Sequence, residues 1–287
     1  MSVVAAVIPT FHPDDTVLHA VIEALRVHDL PVLVADDAST DEFDPVLDGL
    51  VARGATLIRH ERNAGIARSL NAGLAFAHDN GATWLLTVDQ DSTLRPDYVE
   101  RLLAAADAAV AAIGSHAVGA VAPAIIDDES GLLGYPVRLV SGLPVTEEVI
   151  QSGTLWSVSA LDAIGGFDET FGIDAVDAAA CVRMRAAGRR IVLAGDLSIG
   201  HRVGEGRQVR VLGRTVLASG HRPERRTTIV RNRLRLFPEE FAQSPVHAFR
   251  TLRRVAMSTL LAVSIEDDRW AKAKASARGV LPGDRQL

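Results

Sequence analysis

Short runs of β-branched and aliphatic residues alternate with helical periods through the first half of the chain, and this alternation constrains the fold most. It predicts a mostly parallel sheet with helices on both faces, an α/β fold. A Gly- and Pro-rich stretch over 131–144 is predicted to be irregular, and 246–277 largely helical. Strands are predicted at 3–8, 32–35, 56–58, 84–88, 120–126 and 191–194, and helices at 17–27, 45–52, 66–78, from Pro96, at 178–187 and at 227–236.

Polar clusters follow three of the predicted strands at the point where each strand ends. They are Pro9-Thr10, Asp36-Asp37 and Asp89-Gln90-Asp91. In open α/β sheets, ligands bind in the crevice beyond the carboxyl ends of the strands. The sequence therefore predicts one binding site at this edge of the sheet.

The Asp89-Gln90-Asp91 cluster is a candidate metal site. Two carboxylates in one pocket repel each other unless a cation lies between them, and Mg²⁺ or Mn²⁺ held with substrate phosphates is the usual solution. The alternative is a solvated loop in which an aspartate caps a helix. The run up to Thr93 also fits the Asp-x-Asp-x-Thr pattern of haloacid-dehalogenase-like phosphatases, but it follows the fourth strand and no lysine precedes Lys272.

Three further groups carry candidate chemistry, each with a structural alternative. The loop at Asn63 opens a helix whose N–H groups, with Arg68, could receive a diphosphate, or it simply caps that helix. Asp174 and Asp177 are three residues apart, so one helical turn would place a general base and an acceptor anchor on one face; alternatively they are an acidic helix start. His201 is either a metal ligand or a loop histidine.

The charge is distributed unevenly. The chain carries 30 Lys and Arg against 36 acidic residues, a net charge of −6, which excludes general basicity as an argument for nucleic-acid binding. Residues 1–201 carry −16, whereas residues 202–254 carry +9. Two uses of the basic segment are predicted: some arginines contact the donor diphosphate or an anionic acceptor, and others, with the apolar stretch at 255–265, contact an anionic membrane surface. One cysteine excludes an internal disulfide, and we expect a cytoplasmic protein that is soluble or peripheral.

Together these motifs resemble the family 2 glycosyltransferases of GT-A fold, especially the bacterial rhamnosyltransferase-like branch. The resemblance covers about residues 3–236 and implies a Rossmann-like glycosyltransferase domain at 1–236 with a mainly helical extension at 237–287. It runs through Ile8-Pro9-Thr10, Asp36-Asp37, Asn63-Ala64-Gly65, Asp89-Gln90-Asp91, Ser152-Gly153, Gly165-Gly166-Phe167-Asp168-Glu169, Asp174-Ala175-Val176-Asp177, His201 and Arg231-Asn232.

The resemblance implies a role for each matching residue. Asp177 would be the general base on the acceptor hydroxyl, with Asp174 as the alternative base or acceptor anchor. A divalent metal, Mg²⁺ or Mn²⁺, would be held by Asp91, with Asp89 and His201. The nucleotide sugar would be bound by Pro9, Thr10, Asp36, Asp37, Asn63, Arg68, Asp89 and Gln90.

The function implied is an inverting transfer of a sugar, with dTDP-rhamnose as the expected donor. UDP-galactofuranose or another UDP-hexose is the alternative donor, and a non-catalytic module that binds sugar nucleotide is the alternative function. The acceptor would be a glycan or lipid-linked intermediate of cell-envelope polysaccharide synthesis, at the inner face of the plasma membrane. The chain departs from the branch pattern on the acceptor side, with Ala178 after Asp177 and with Thr227 and Thr228 before Arg231.

Overall fold

The computed structural model describes residues 3–125, 135–201, 207–211, 214–218 and 220–281. By their internal contacts, the residues form two compact units, Met1–His201 and Arg202–Leu287. The strands are β1 Val4–Thr10, β2 Val32–Asp36, β3 Thr56–Arg59, β4 Trp84–Thr87, β5 Ser92–Thr93, β6 Val118–Ile125, β7 Arg138–Val140, β8 Leu143–Thr146, β9 Thr154–Ser157, β10 Arg190–Ser198, β11 Gly200–His201, β12 Arg207–Val211 and β13 Arg214–Ala218. The helices are α1 Asp15–Arg26, α2 Asp44–Ala52, α3 Ile66–Asp79, α4 Tyr98–Ile113, α5 Val158–Ile164, α6 Val176–Ala186, α7 Pro223–Gln243, α8 Pro245–Ile265 and α9 Arg269–Val280.

The first unit is built on a nine-stranded sheet in the order β3-β2-β1-β4-β9-β6-β10-β8-β7. The first four strands in this order are parallel, so their carboxyl ends lie at one edge. β9 runs antiparallel between β4 and β6, and β8 pairs antiparallel with β10. The predicted α/β fold is therefore confirmed, with antiparallel strands added to a parallel half.

Helices cover both faces of the parallel half. Successive strand residues point to opposite sides, so each strand presents side chains to the helices on both faces. Val4, Ala6 and Ile8 of β1 lie in one apolar core with residues of α1, α2 and α4. On the other face, Val7 packs against Gly73 of α3, where an added Cβ would lie 2.5 Å from the Cβ of Val7. This close approach fixes α3 against the sheet and brings its first turn to the carboxyl edge.

The structure corrects two details of the predicted organisation. The stretch predicted to be irregular forms the antiparallel pair β7–β8 over its described part, and 126–134 lies outside the described residues. The helix predicted from Pro96 begins at Tyr98. β9 and α5 were not predicted; β9 is four fully buried residues, and such a short strand carries little periodic signal.

The second unit contains the β12–β13 hairpin and the three helices α7, α8 and α9. Arg226 of α7 is 1% exposed and donates hydrogen bonds to Ser258 Oγ at 2.8 Å and Thr259 Oγ1 at 2.6 Å. Lys272 Nζ contacts Glu266 Oε2 at 2.9 Å within the same unit. Buried charges of this kind are retained only when they are paired or hydrogen-bonded, as these are.

The predicted boundary at residue 236 falls inside α7, whereas the compact units divide after His201. How far the predicted glycosyltransferase domain extends stays a prediction, since α7 is one continuous helix that carries residues from both sides of that boundary. Among the described residues, no helix is long and apolar enough to cross a membrane.

Candidate active site

The three predicted polar clusters lie at one edge of the sheet. β1 pairs with β2 on one side and with β4 on the other, and Thr10 lies opposite Asp36 in the register. The N–H of Asp37 donates to the carbonyl of Thr10 at 2.8 Å, and the N–H of Val88 donates to the carbonyl of Val7 at 3.1 Å. The chain thus leaves all three strands at neighbouring points.

Asp36 is fully buried and holds the loop that follows β2. Its carboxylate accepts hydrogen bonds from the N–H of Ser39 at 3.0 Å and from Ser39 Oγ at 2.5 Å. Thr10 Oγ1 and Arg59 Nε lie 3.5 Å and 3.4 Å from it. Burial lowers the pKa of Arg59, but Asp44 and Asp36 outweigh this effect and raise the pKa above its ordinary value. Four protein donors therefore surround a residue predicted to contact the nucleotide.

Asp37 shapes the loop that leads into α3. Its two carboxylate oxygens accept the N–H groups of Ala64 and Gly65, each at 2.8 Å. Gly65 has φ +88, and a Cβ there would lie 2.7 Å from the carbonyl oxygen of Gly172. Two of the N–H groups predicted to receive a diphosphate are thus occupied by Asp37. Asn63 and Arg68 are exposed beside them and stay the predicted contacts.

Gln90 joins the ends of β1 and β4. Its side-chain oxygen accepts the N–H of Phe11 at 2.9 Å, and its side-chain nitrogen donates to the carbonyl of the same residue at 3.1 Å. This fixes an aromatic stack at the edge of the site, in which the ring of His12 lies 3.9 Å from that of Phe11 and 4.8 Å from that of Phe43. No role was predicted for His12 from the sequence. Its backbone is left-handed, with φ 49, where the chain turns sharply after β1.

Asp89 is half-buried and held by two neighbours that are adjacent in sequence. Its N–H donates to Ser152 Oγ at 2.9 Å, and its carboxylate accepts a hydrogen bond from Gln151 Nε2. Gln151 is 6% exposed, and its Oε1 has no hydrogen-bond partner among the described residues. Gln151 was missed by sequence reasoning, because no spacing rule connects it to a residue 62 positions earlier.

Of the four aspartates in the polar clusters, Asp91 is the exposed one. Within the described part of the chain, no hydrogen bond or ion pair reaches its side chain. The next residue, Ser92, pairs in β5 with His201 of β11, which places the backbone of His201 one residue from Asp91. The side chain of His201 lies outside the described residues. Asp91, Asp89 and His201 remain the predicted metal ligands.

The acidic segment before α6 lies next to the start of α3. Asn71 of α3 clasps the turn at Phe167: its Oδ1 accepts the N–H of Phe167 at 2.8 Å, and its Nδ2 donates to the carbonyl at 2.9 Å. Burial raises the pKa of Asp168, but hydrogen bonds from Thr170 and Arg183 outweigh it and lower that pKa below its usual value. These contacts fix the segment that leads to the candidate base.

Asp174 and Asp177 do not share a helical turn. α6 begins at Val176, after Ala175 in the left-handed conformation at φ 67, so Asp174 precedes the helix. The argument that a turn of helix aligns the two carboxylates is therefore wrong for this chain. Asp177 lies in the first turn, half-buried, with its Oδ1 2.7 Å from the N–H of Ala178. Burial raises the pKa of Tyr135, and the nearby charge of Asp177 raises it further.

The nine-stranded sheet with its polar carboxyl edge fits the GT-A fold predicted from the sequence, and known proteins share this similarity. Residues 5–129 match the family model described as Glycosyl transferase family 2. The chain is 26% identical to the dTDP-rhamnosyl transferase RfbF of Shigella flexneri over 98% of this chain and 95% of that protein. The predicted resemblance to the family 2 glycosyltransferases is confirmed, since the family model covers residues 5–129 and the similarity to RfbF extends over nearly the whole chain.

Solved structures share this fold. The mannosyltransferase PcManGT from Pyrobaculum calidifontis, in complex with GDP-Man and Mn²⁺, has a TM-score of 0.58 and 16% identity over 96% of this chain and 73% of that one. S. aureus TarS 1-349 in complex with UDP-GlcNAc has a TM-score of 0.55 and 17% identity over 96% of this chain and 79% of that one. At these identities the likeness establishes the GT-A fold alone.

Proposed function

We propose that the chain is an inverting, metal-dependent rhamnosyltransferase that uses dTDP-rhamnose. The observation that carries the proposal is the convergence of the three polar clusters at one edge, with Asp91 open toward solvent and β11 beside it. The similarity to a dTDP-rhamnosyl transferase over nearly the whole chain supports the choice of donor. UDP-galactofuranose and other UDP-hexoses are the alternative donors.

The donor nucleotide would bind at the ends of β1 and β2. Thr10 and Asp36 form the floor, and the exposed Phe11–His12 stack offers a flat aromatic surface for the base. Arg68 and Asn63, exposed at the start of α3, would contact the diphosphate with charge-assisted hydrogen bonds. Asp89, whose carboxylate is hydrogen-bonded to Gln151, would accept a hydrogen bond from a hydroxyl group of the ribose or the sugar.

The residues beside Asp91 fit a divalent cation. Asp91 is an exposed carboxylate without a partner among the described residues, and Asp89 is a half-buried carboxylate two residues earlier. Both are oxygen ligands of the kind that Mn²⁺ or Mg²⁺ accepts, and His201, whose backbone pairs with Ser92, is the proposed third ligand. PcManGT and its Mn²⁺ complex support the same chemistry here. When bound, the cation would supply positive charge that stabilises the leaving diphosphate.

Asp177 would act as the general base. Its carboxylate takes the proton from the acceptor hydroxyl, whose oxygen attacks the anomeric carbon of the donor sugar. The bond from that carbon to the diphosphate oxygen breaks with its electron pair, and a nucleoside diphosphate leaves. Attack from the opposite face inverts the anomeric configuration. The acceptor would be a glycan or lipid-linked intermediate of envelope polysaccharide synthesis, so the enzyme would work at the cytoplasmic face of the plasma membrane.

A donor panel tests the proposal. The full chain is incubated with dTDP-rhamnose, UDP-galactofuranose and UDP-hexoses, with Mg²⁺, Mn²⁺ or a chelator, and nucleoside diphosphate release and thermal stabilisation are measured. We expect metal-dependent binding and release with dTDP-rhamnose. Preference for a UDP-sugar would mean that this sugar nucleotide, and not dTDP-rhamnose, is the donor. Stabilisation without turnover in the presence of acceptor would favour a non-catalytic module. No response to any nucleotide would overturn the proposal.

The base is tested by comparing Asp177→Asn with Asp174→Asn. Asp177→Asn should keep the donor dissociation constant within about threefold while transfer falls about 10³-fold, as expected for loss of a general base. Asp174→Asn should retain most transfer at saturating acceptor. If the two results are exchanged, Asp174 is the base.

A further inference from the structure

The exposed side of α8 is apolar and basic. Val246, Phe249, Met257 and Leu260 are 70%, 57%, 50% and 55% exposed, and Arg253 is exposed between them. Their spacings of three, four, four and three residues place all five on one stripe of the helix, the α8 face. His247, Ala248, Thr251 and Ala262 are the buried residues of the other side.

An aromatic cluster extends the α8 face onto α7. The ring of Phe249 lies 5.8 Å from that of Phe241 and 5.8 Å from that of Phe237. Phe241 is itself 43% exposed. Large aromatic side chains that lie together at the solvent-exposed surface mark a site that a membrane or another molecule covers.

The charge of α8 selects the occupant. The helix carries Arg250, Arg253 and Arg254 and contains no acidic residue. An exposed apolar stripe flanked by arginines is the pattern of a helix that lies in a membrane interface, with the guanidinium groups reaching the headgroups. Each basic residue near an anionic surface strengthens binding about fivefold.

We propose that the α8 face is the surface by which this protein binds an anionic lipid membrane. The α8 face extends the sequence-based expectation, which centred on 255–265, toward the start of α8, because Val246 and Phe249 are exposed as well as Met257 and Leu260, while Ala262 is buried. The inference rests on the proposed function only in that a lipid-linked acceptor gives membrane contact a purpose. The helix would lie along the surface with Phe249, Met257 and Leu260 inserted among the acyl chains.

Vesicle co-sedimentation tests the proposal with the full chain. We expect binding to phosphatidylcholine–phosphatidylglycerol vesicles, little binding to phosphatidylcholine alone, and weaker binding at high salt because salt screens charge. The triple variant Phe249→Ser, Met257→Ser, Leu260→Ser and the single variant Arg253→Glu should each reduce binding at least about tenfold. A matched triple variant of exposed apolar residues in the first unit, Val27→Ser, Val51→Ser, Leu139→Ser, should bind normally.

Three outcomes would overturn the proposal. The first is wild-type protein that does not bind anionic vesicles, and the second is face variants that bind them as well as wild type does. The third is sedimentation velocity showing a dimer that the triple variant dissociates, since a second copy would then cover the α8 face. Nucleoside diphosphate release from soluble donor, without vesicles, should be equal in wild type and face variants. If that release is absent in wild type while vesicle binding persists, the proposed function fails and the membrane surface stands.

Discussion

Two pairs of aspartates flank β1 at one edge of the sheet. Asp36 is the last residue of β2 and Asp37 follows it, whereas Asp89 and Asp91 follow β4. The first pair is buried, and its carboxylates accept hydrogen bonds from Ser39 and from the loop before α3. In the second pair Asp89 is half-buried and Asp91 is exposed. The same residue type therefore builds the loops on one side of β1, whereas on the other side Asp91 is exposed to solvent.

Among variants of the two aspartate pairs, the largest expected effect comes from Asp91→Asn. Because this carboxylate is exposed and proposed to hold the cation, we expect metal-dependent kcat/KM to fall about 100-fold while the melting temperature stays unchanged. Turnover with a Mn²⁺ titration measures the effect, and Asp79→Asn, an exposed aspartate at the end of α3, is the control. If the Asp91→Asn protein keeps wild-type activity, Asp91 does not hold the cation and the contrast between the two aspartate pairs fails.

Asp36→Ala should act on stability. The substitution leaves the buried N–H and hydroxyl of Ser39 without their acceptor, which we expect to lower the free energy of unfolding by about 2 kcal/mol. Urea denaturation measures it. Asp44→Ala is a matched control, because Asp44 lies 2.7 Å from Arg59 but is 43% exposed, and such a pair contributes about 0.5 kcal/mol. Equal effects of the two variants would mean that burial of Asp36 is not what stabilises the loop.

Gln151→Leu sharpens the comparison within the second pair. Without the amide, Asp89 loses the donor that fixes its carboxylate, and we expect the donor dissociation constant to rise about tenfold with little change in kcat. Isothermal titration with nucleotide sugar and Mn²⁺ measures the change. A Gln151→Leu protein that is folded and binds the donor as wild type does would show that Asp89 needs no such support.

The smallest effect concerns pH. Hydrogen bonds from Thr170 and Arg183 outweigh burial and lower the pKa of Asp168, so its contribution to stability is present above the unfolded value of about 4 and is lost as the pH falls through the folded value. We expect the free energy of unfolding to rise with pH across this acid window by less than about 1 kcal/mol. Asp168→Asn should flatten that dependence, and an unchanged slope would contradict the assignment.

Much of this arrangement was predictable from the chain. Each strand and helix of the parallel half was predicted within a few residues, because alternation and helical periods are local signals. The three polar clusters were placed at the strand ends, and the parallel order then brings them together. The antiparallel β9 was missed, as was its Gln151 neighbour, because both are defined by contacts with residues more than 30 positions away.

The sequence by itself determined the strand–helix order, the polar edge and the motif that relates the chain to family 2 glycosyltransferases. Only the tertiary structure decided which carboxylates are already hydrogen-bonded and which are open, that Asp174 lies outside α6, and which side of α8 faces solvent. The physical reason is that periodicity and turn preference act between near neighbours in the chain. Hydrogen-bond partners and exposure are set by whichever distant residues the fold brings into contact.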